Sequence, residues 1–175
     1  MSKAEEYFDV VNERDEVTGR ALRREVHARG LWHRAIHVLV FDPMGRVFLQ
    51  KRSMKKDSSP GLWDSSCSGH VDSGEDYDPA AQRELGEEIG LHLPSPPDRW
   101  FRISACAETG WEFVWVYRLR HSGPFVLHPD EIERGEWFEL EDLANRLVTE
   151  PKAFAVPFRL IWGIAAKRAD FAPTS

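Results

Sequence analysis

Apolar and polar positions alternate in short runs through the first part of the chain, and the period then lengthens. Tyr7–Val11 and Val17–Leu22 predict two short strands around a polar turn. Arg34–Phe41 is an apolar strand stopped by Asp42-Pro43-Met44-Gly45, a turn sequence, and Arg46–Arg52 returns as its hairpin partner. Residues 53–62 read as a polar loop ending at Pro60-Gly61, and Trp63–Ser68 as another strand. Asp78-Pro79 then predicts a helix start, with Asp as N-cap and Pro at the first helical position. Ala81, Leu85 and Ile89 recur four apart as its buried stripe, and Gly90 suits the C-terminal cap. Strands are expected near 100–106, 111–119 and 134–139, followed by a helix over 140–148. A last helix starting near Pro157 buries Phe158, Ile161, Trp162 and Ala165. Strands interleaved with helices predict an α/β sandwich with a mixed sheet. There is no repeat and no visible boundary, so residues 1–175 are read as one domain.

Composition narrows the function classes. With 175 residues, 42 % of them hydrophobic, the chain can bury one substantial core without crosslinks. Cys67 and Cys106 are too few and too far apart for a disulfide framework or a zinc knuckle. A net charge of −6 argues against a nucleic-acid partner, which needs clustered Lys and Arg. The polar start MSKAEEYFDV carries no secretory signal, and no apolar run approaches the roughly 20 residues of a membrane span. The expectation is a cytoplasmic protein acting on a small molecule, with homodimer formation left open.

The acidic excess is concentrated on the predicted helix. Glu84, Glu87 and Glu88 lie at i, i+3 and i+4 and so share one face. A solvated acidic face is the bland explanation. Against it, the cluster sits near the helix C-terminus, where the dipole disfavours carboxylates. The helix offers one cation, Arg83, spaced to pair with Glu87. Oxygen ligands packed in this way suit a hard divalent cation, Mg²⁺ or Mn²⁺. Gly86 within the same helix weakens it by up to about 1 kcal/mol relative to alanine.

The same stretch, GHVDSGEDYDPAAQRELGEEIGL over 69–91, resembles the Nudix box at every defined position: Gly69, Glu75, Arg83, Glu84, Leu85, Glu87, Glu88, Gly90 and Leu91. A chance match would arise at fewer than about one start position in a million. The resemblance implies the Nudix α/β/α sandwich and hydrolysis of a diphosphate linkage. It also implies Mg²⁺ held by Glu84, Glu87 and Glu88 with the Ser68 backbone carbonyl, while Glu75 and Arg83 brace the loop against the helix. The chemistry agrees, because cations neutralise the diphosphate and lower the pKa of a bound water, and a nearby carboxylate can take the proton.

Positive groups follow from the strand before the polar loop. Arg52 is fixed by the sheet in alternation with Phe48 and Gln50, and Lys55 and Lys56 come next, so Arg52 and Lys56 are candidates to bind the diphosphate. In WEFVWVYRL, Trp111, Phe113, Trp115, Tyr117 and Leu119 form one strand face, read as core rather than a base-stacking platform. Glu112 lies on the other face, a candidate metal ligand or water-orienting base with a salt bridge as the bland alternative. Outside the box, LWHRAIHVLVFD, VFLQKRSMKKDSSPGLWDSSCSGH and ETGWEFVWVY resemble type 1 isopentenyl-diphosphate isomerase, a relative with the same fold. That resemblance implies a metal held by His27, His33, His70 and Glu112. Histidines beside aromatic residues are more often ordinary hydrogen-bonded groups. Two departures count against isomerase activity: Ser68 stands where the isomerase has its catalytic cysteine, with Cys67 one position off and so on the opposite face, and the box glutamates are complete. The leading expectation is a Nudix pyrophosphohydrolase acting on a nucleoside diphosphate-X or related substrate. Its alternatives are an isopentenyl-diphosphate isomerase and a non-catalytic nucleotide-binding Nudix module.

Overall fold

The longest apolar run of the chain forms the axis of the sheet. In the computed structural model, which describes residues 6–171, the strand expected over Arg34–Phe41 is β3 (His33–Phe41). The polar start read above extends into residues 1–5, outside that range. Before β3 come β1 (Tyr7–Val11) and β2 (Val17–Leu22), an antiparallel hairpin, and α1 (Arg23–Arg29). After it come β4 (Val47–Arg52), β5 (Trp63–Asp64), β6 (Cys67–His70) and α2 (Tyr77–Ile89). The chain continues through β7 (Asp98–Ile103), β8 (Glu112–Arg120), β9 (Ile132–Phe138), α3 (Leu140–Thr149) and α4 (Val156–Ala165).

Seven strands make one mixed sheet in which β3 and β8 run parallel and the other pairings are antiparallel. Alternation along β3 divides its side chains between two cores. Ile36, Val38 and Val40 pack with Leu85 and Ile89 of α2, while Ala35, Leu39 and Phe41 pack with Phe158, Ile161 and Trp162 of α4. The result is the expected α/β/α sandwich.

One irregularity positions the site. β4 pairs with β3 only at Phe48 and Val47, and beyond that point the edge of β3 is taken by β6 and that of β4 by β5. Ser66 bridges the fork: its hydroxyl accepts from Val40 N–H at 2.8 Å and donates to the Phe48 carbonyl. The strand expected over Trp63–Ser68 is therefore two strands, broken at Ser65 and Ser66 because the Ser66 side chain takes over ladder bonds that backbone would otherwise make.

The helix start also differs from expectation. Asp76, not Asp78, is the N-cap, and its carboxylate accepts from Tyr77 N–H at 2.7 Å. Asp78 sits within the first turn and holds Tyr117 Oη and Arg99 Nε, each at 2.6 Å. The strand placed near 100–106 begins at Asp98 and ends at Ile103. Helix α1 was not expected: it is 7 residues long, has no side-chain N-cap bond, and buries Val26 alone.

Candidate functional site

Glycine makes the floor of the site. An added Cβ at Gly69 in β6 would lie 2.1 Å from Glu84 Cδ, so the Glu84 side chain rests directly on the strand backbone. One residue earlier, Ser68 N–H donates to Glu88 Oε2 at 3.1 Å. Glu84 and Glu88 thus both turn from α2 onto β6, beside the fork of the sheet. The third glutamate differs, since Glu87 is 59 % exposed and meets Arg83 Nη1 at 3.2 Å. The (i, i+4) pairing of Arg83 with Glu87 is therefore present, but Arg83 does more. It holds Glu75 through Nε at 3.1 Å and Nη2 at 2.9 Å, Glu84 at 2.8 Å and the His70 carbonyl at 3.0 Å. Glu75 in turn accepts from Asp72 N–H. These bonds tie the loop after β6 to the helix.

The bland alternative of a solvated acidic face fails at Glu88, which is only 2 % exposed. Nor is its compensation confined to α2: Lys56 Nζ lies 3.6 Å from Glu88 Oε1 and is also bonded to Glu131. Lys56 and Glu131 come from loops distant in sequence, which helix spacing cannot reveal. Gly86 also finds its reason here, because a Cβ there would meet the His92 ring at 2.9 Å.

Burial and the neighbouring Glu88 charge raise the Glu84 pKa, against the pull of Arg83. A pair of carboxylates in this position holds a proton or gains a cation. The donor set is oxygen from Glu84, Glu87, Glu88 and the Ser68 backbone, which suits Mg²⁺ or Mn²⁺.

Across the sheet lies a second cluster. His33 and Glu112 are paired neighbours on β3 and β8, and His70 faces Ala35 on β6. Trp111, at φ 67, turns the chain into β8 just before Glu112, whose N–H is caught by Thr109 Oγ1 at 3.2 Å. Glu112 Oε1 is 3.0 Å from His70 Nε2 and 3.4 Å from His33 Nε2. With His27 from α1, one ring nitrogen from each histidine lies within 4.8 Å of the others. Phe8 of β1 covers the rings, its centroid 4.6 Å from that of His70. Burial pushes His70 down to about 4, against the opposing pull of Glu112, so it is neutral at pH 7, while partial burial and the neighbouring His33 lower His27. Burial would raise Glu112, but its two histidine contacts outweigh that and hold it below the usual carboxylate range. His33 Nε2 is buried and has no hydrogen-bond partner among the described residues. Three imidazoles and a carboxylate fit a transition-metal ion.

The cations ahead of the polar loop are engaged. Arg52 donates through Nη1 to Asp64 at 3.0 Å and through Nε and Nη2 to Ser58. Lys55 pairs with Asp130 at the surface. The Cys67 thiol is wholly buried against α2, on the face opposite Ser68 and His70, as alternation predicts. Its pKa is raised well above 9 by burial and by the charges of Glu88 and Glu84. Of the row read as core, Phe113 and Tyr117 are buried, Trp115 and Leu119 are half-buried with Trp115 under Arg99, and Trp111 is 43 % exposed, because it stands in the turn before β8. Sequence reasoning missed Gln50, whose amide reaches Glu88, and Phe8. Gln50 was visible as the alternate of Arg52, but a polar residue on a strand gives no sign of which helix it meets.

The domain family described as NUDIX domain matches residues 31–157. The chain is 32 % identical over 160 residues to isopentenyl-diphosphate Delta-isomerase 2 of Photorhabdus laumondii, covering 90 % of each protein. It is 36 % identical over 150 residues to an uncharacterized Nudix hydrolase of Streptomyces coelicolor, covering 84 % of this chain and 82 % of that one. A crystal structure of a Deinococcus radiodurans protein superposes with a TM-score of 0.80 at 30 % identity, over 89 % of this chain and 96 % of that one.

Proposed function

The chain belongs to the Nudix family, and from that premise we propose that it is a Mg²⁺- or Mn²⁺-dependent pyrophosphohydrolase cleaving a diphosphate linkage in a nucleoside diphosphate-X or related small molecule. The observation that carries this reading is the buried Glu84–Glu88 pair seated on the β6 backbone, with Glu87 at its rim. These three carboxylates and the Ser68 carbonyl would hold the cation. When bound, it neutralises the phosphate oxygens and activates water for attack. A box carboxylate accepts the proton of the attacking water. Arg52 and Lys56 add positive potential beside the bound diphosphate, in the setting of their pairs with Asp64 and Glu131. A cytoplasmic location fits the two free cysteines and the small phosphorylated substrate.

The named relatives divide between isomerases and Nudix hydrolases. Isomerisation needs a group that gives or takes a proton at a double bond. The one thiol near this site is buried under the box glutamates with a raised pKa, and Ser68 occupies the face shared with His70. That supports hydrolysis. A module that only senses nucleotides has no need of a complete carboxylate set, and this chain has all three. We assign His27, His33, His70 and Glu112 to a second metal ion, supported by the clustered nitrogens and by His33 Nε2, which is buried without a hydrogen bond among the described residues. Metal analysis of the purified protein is expected to find bound metal that His33→Ala loses. Equal metal content in both would leave the cluster as hydrogen-bonded core.

The test of the main reading is turnover. Activity on the cleaved substrate should require millimolar Mg²⁺ or Mn²⁺ and vanish in Glu88→Gln. Full turnover in excess EDTA would refute it.

A further inference from the structure

Gln50 is wholly buried on β4, and Phe48 two residues before it packs in the α2-facing core. Its Nε2 donates to Glu88 Oε2 at 2.9 Å. That bond fixes the amide, because the flipped arrangement would set its carbonyl oxygen against a carboxylate oxygen. The consequence is that Oε1 is buried and accepts no hydrogen bond from any described residue. Burying an amide acceptor without a donor is unfavourable, so such an atom calls for a reason. Only one other described side-chain atom is in this position, His33 Nε2, and it too borders a candidate ion site.

The surroundings say what donor is missing. Glu88 Oε2 is held by Gln50 and Ser68 N–H, and Glu88 Oε1 lies toward Lys56. Hard cations such as Mg²⁺ keep several waters, and a water whose lone pair is on the cation offers only O–H donors outward. A site for a hydrated cation therefore needs acceptors beyond the ligands themselves. Another carboxylate would add like charge to a pair that already disfavours ionisation. A neutral amide oxygen accepts without adding charge.

We propose that Gln50 is a positioning residue for the cation of the box: its N–H holds Glu88 in place, and its Oε1 accepts a hydrogen bond from water in the cation's hydration shell. This rests on the reading of Glu84, Glu87 and Glu88 as that cation's ligands.

The test is titration of Mn²⁺ into the substrate-free protein, following free Mn²⁺ by its electron paramagnetic resonance signal. Four proteins are compared at one mildly alkaline pH: wild type, Gln50→Met, Gln50→Glu and Glu84→Gln. Gln50→Met keeps the unbranched arm and loses both amide atoms, and should bind about tenfold more weakly or worse. Gln50→Glu loses the N–H that holds Glu88 but keeps an acceptor for the water, and should bind more tightly than Gln50→Met. A Met variant within about twofold of wild type would overturn the proposal. So would a Glu variant as weak as the Met variant, which would leave only the bond to Glu88. Should the Met variant not fold, Gln50→Leu takes its place, with the same expected loss and the same overturning result. Glu84→Gln guards the premise, since wild-type affinity there would remove the carboxylate reading itself and the Gln50 role with it.

Discussion

At the scale of single residues, the site stores electrostatic strain in Glu84. Folding raises its pKa, so the folded chain keeps a proton that the unfolded chain releases. The stabilisation is full below the ordinary carboxylate range and is lost as pH climbs through the folded value. Glu84→Gln removes the charge that folding disfavours. Without divalent cation, the variant should therefore melt higher than wild type at neutral and alkaline pH. About 1 kcal/mol, the worth of less than one pKa unit, corresponds to about 2–4 °C for a domain of this size. The gap should close toward pH ~4, where the unfolded chain protonates Glu84 as well. Thermal melts across that range check this, and a variant that melts lower throughout contradicts it. Arg52 makes a second case. Its guanidinium neutralises buried Asp64, so Arg52→Ala should cost about 3–5 kcal/mol in denaturant unfolding, since it leaves that carboxylate unpaired. A residue that only bound substrate would show no such loss.

At the scale of elements, the approach of α2 to β6 makes the site, and Gly69 permits it. Gly69→Ala drives a methyl into Glu84 Cδ and Cγ. The variant should fold yet lose most of the cation-induced rise in melting temperature; a rise equal to that of wild type would show that Glu84 can move aside at no cost. The hairpin β1–β2 has its own latch. Asp15, at φ 63 in its turn, accepts from Arg34 Nε at 2.6 Å, Tyr77 Oη at 2.8 Å and Arg102 Nη2 at 2.9 Å. Asp15→Asn tolerates the left-handed backbone and removes the charge, and should cost about 2–3 kcal/mol. Faster amide hydrogen exchange confined to β1 and β2 would identify the latch, whereas exchange unchanged there would deny it.

These elements differ in how far the sequence announced them. The strands around Asp42-Pro43-Met44-Gly45 were legible because turn chemistry and alternation agree there, and the final helix because its apolar spacing is regular. The helix start slipped from Asp76 to Asp78 because two aspartates compete and the Asp-Pro pair is the stronger local signal. The break of Trp63–Ser68 was hidden, since it depends on the Ser66 hydroxyl bridging Val40 of β3 and Phe48 of β4, both distant in sequence. The site shows the same division. Glu84, Glu87 and Glu88 could be read from helical spacing, whereas Gln50, Lys56 and Glu131 meet Glu88 only through the fold.

At the scale of the whole molecule, a chain of net charge −6 gathers the carboxylates of its box at one place in the sandwich and sets a histidine cluster with Glu112 on the other face of the same strands. Register accounts for the separation. Cys67 and Gly69 point to α2 and the box glutamates, while Ser68 and His70 point the other way, toward His33 and Glu112. No helix of the described residues is long and apolar enough to cross a membrane. The activity proposed for this arrangement is cleavage of a phosphoric anhydride bond. The most direct measurement is ³¹P nuclear magnetic resonance of the protein with Mg²⁺ and a panel of nucleoside di- and triphosphates, nucleotide sugars, dinucleotides and isopentenyl diphosphate. Anhydride resonances of at least one compound should convert to phosphate-ended products, and EDTA should stop the conversion. Intact anhydrides throughout, with isopentenyl diphosphate turned into its allylic isomer, would contradict it.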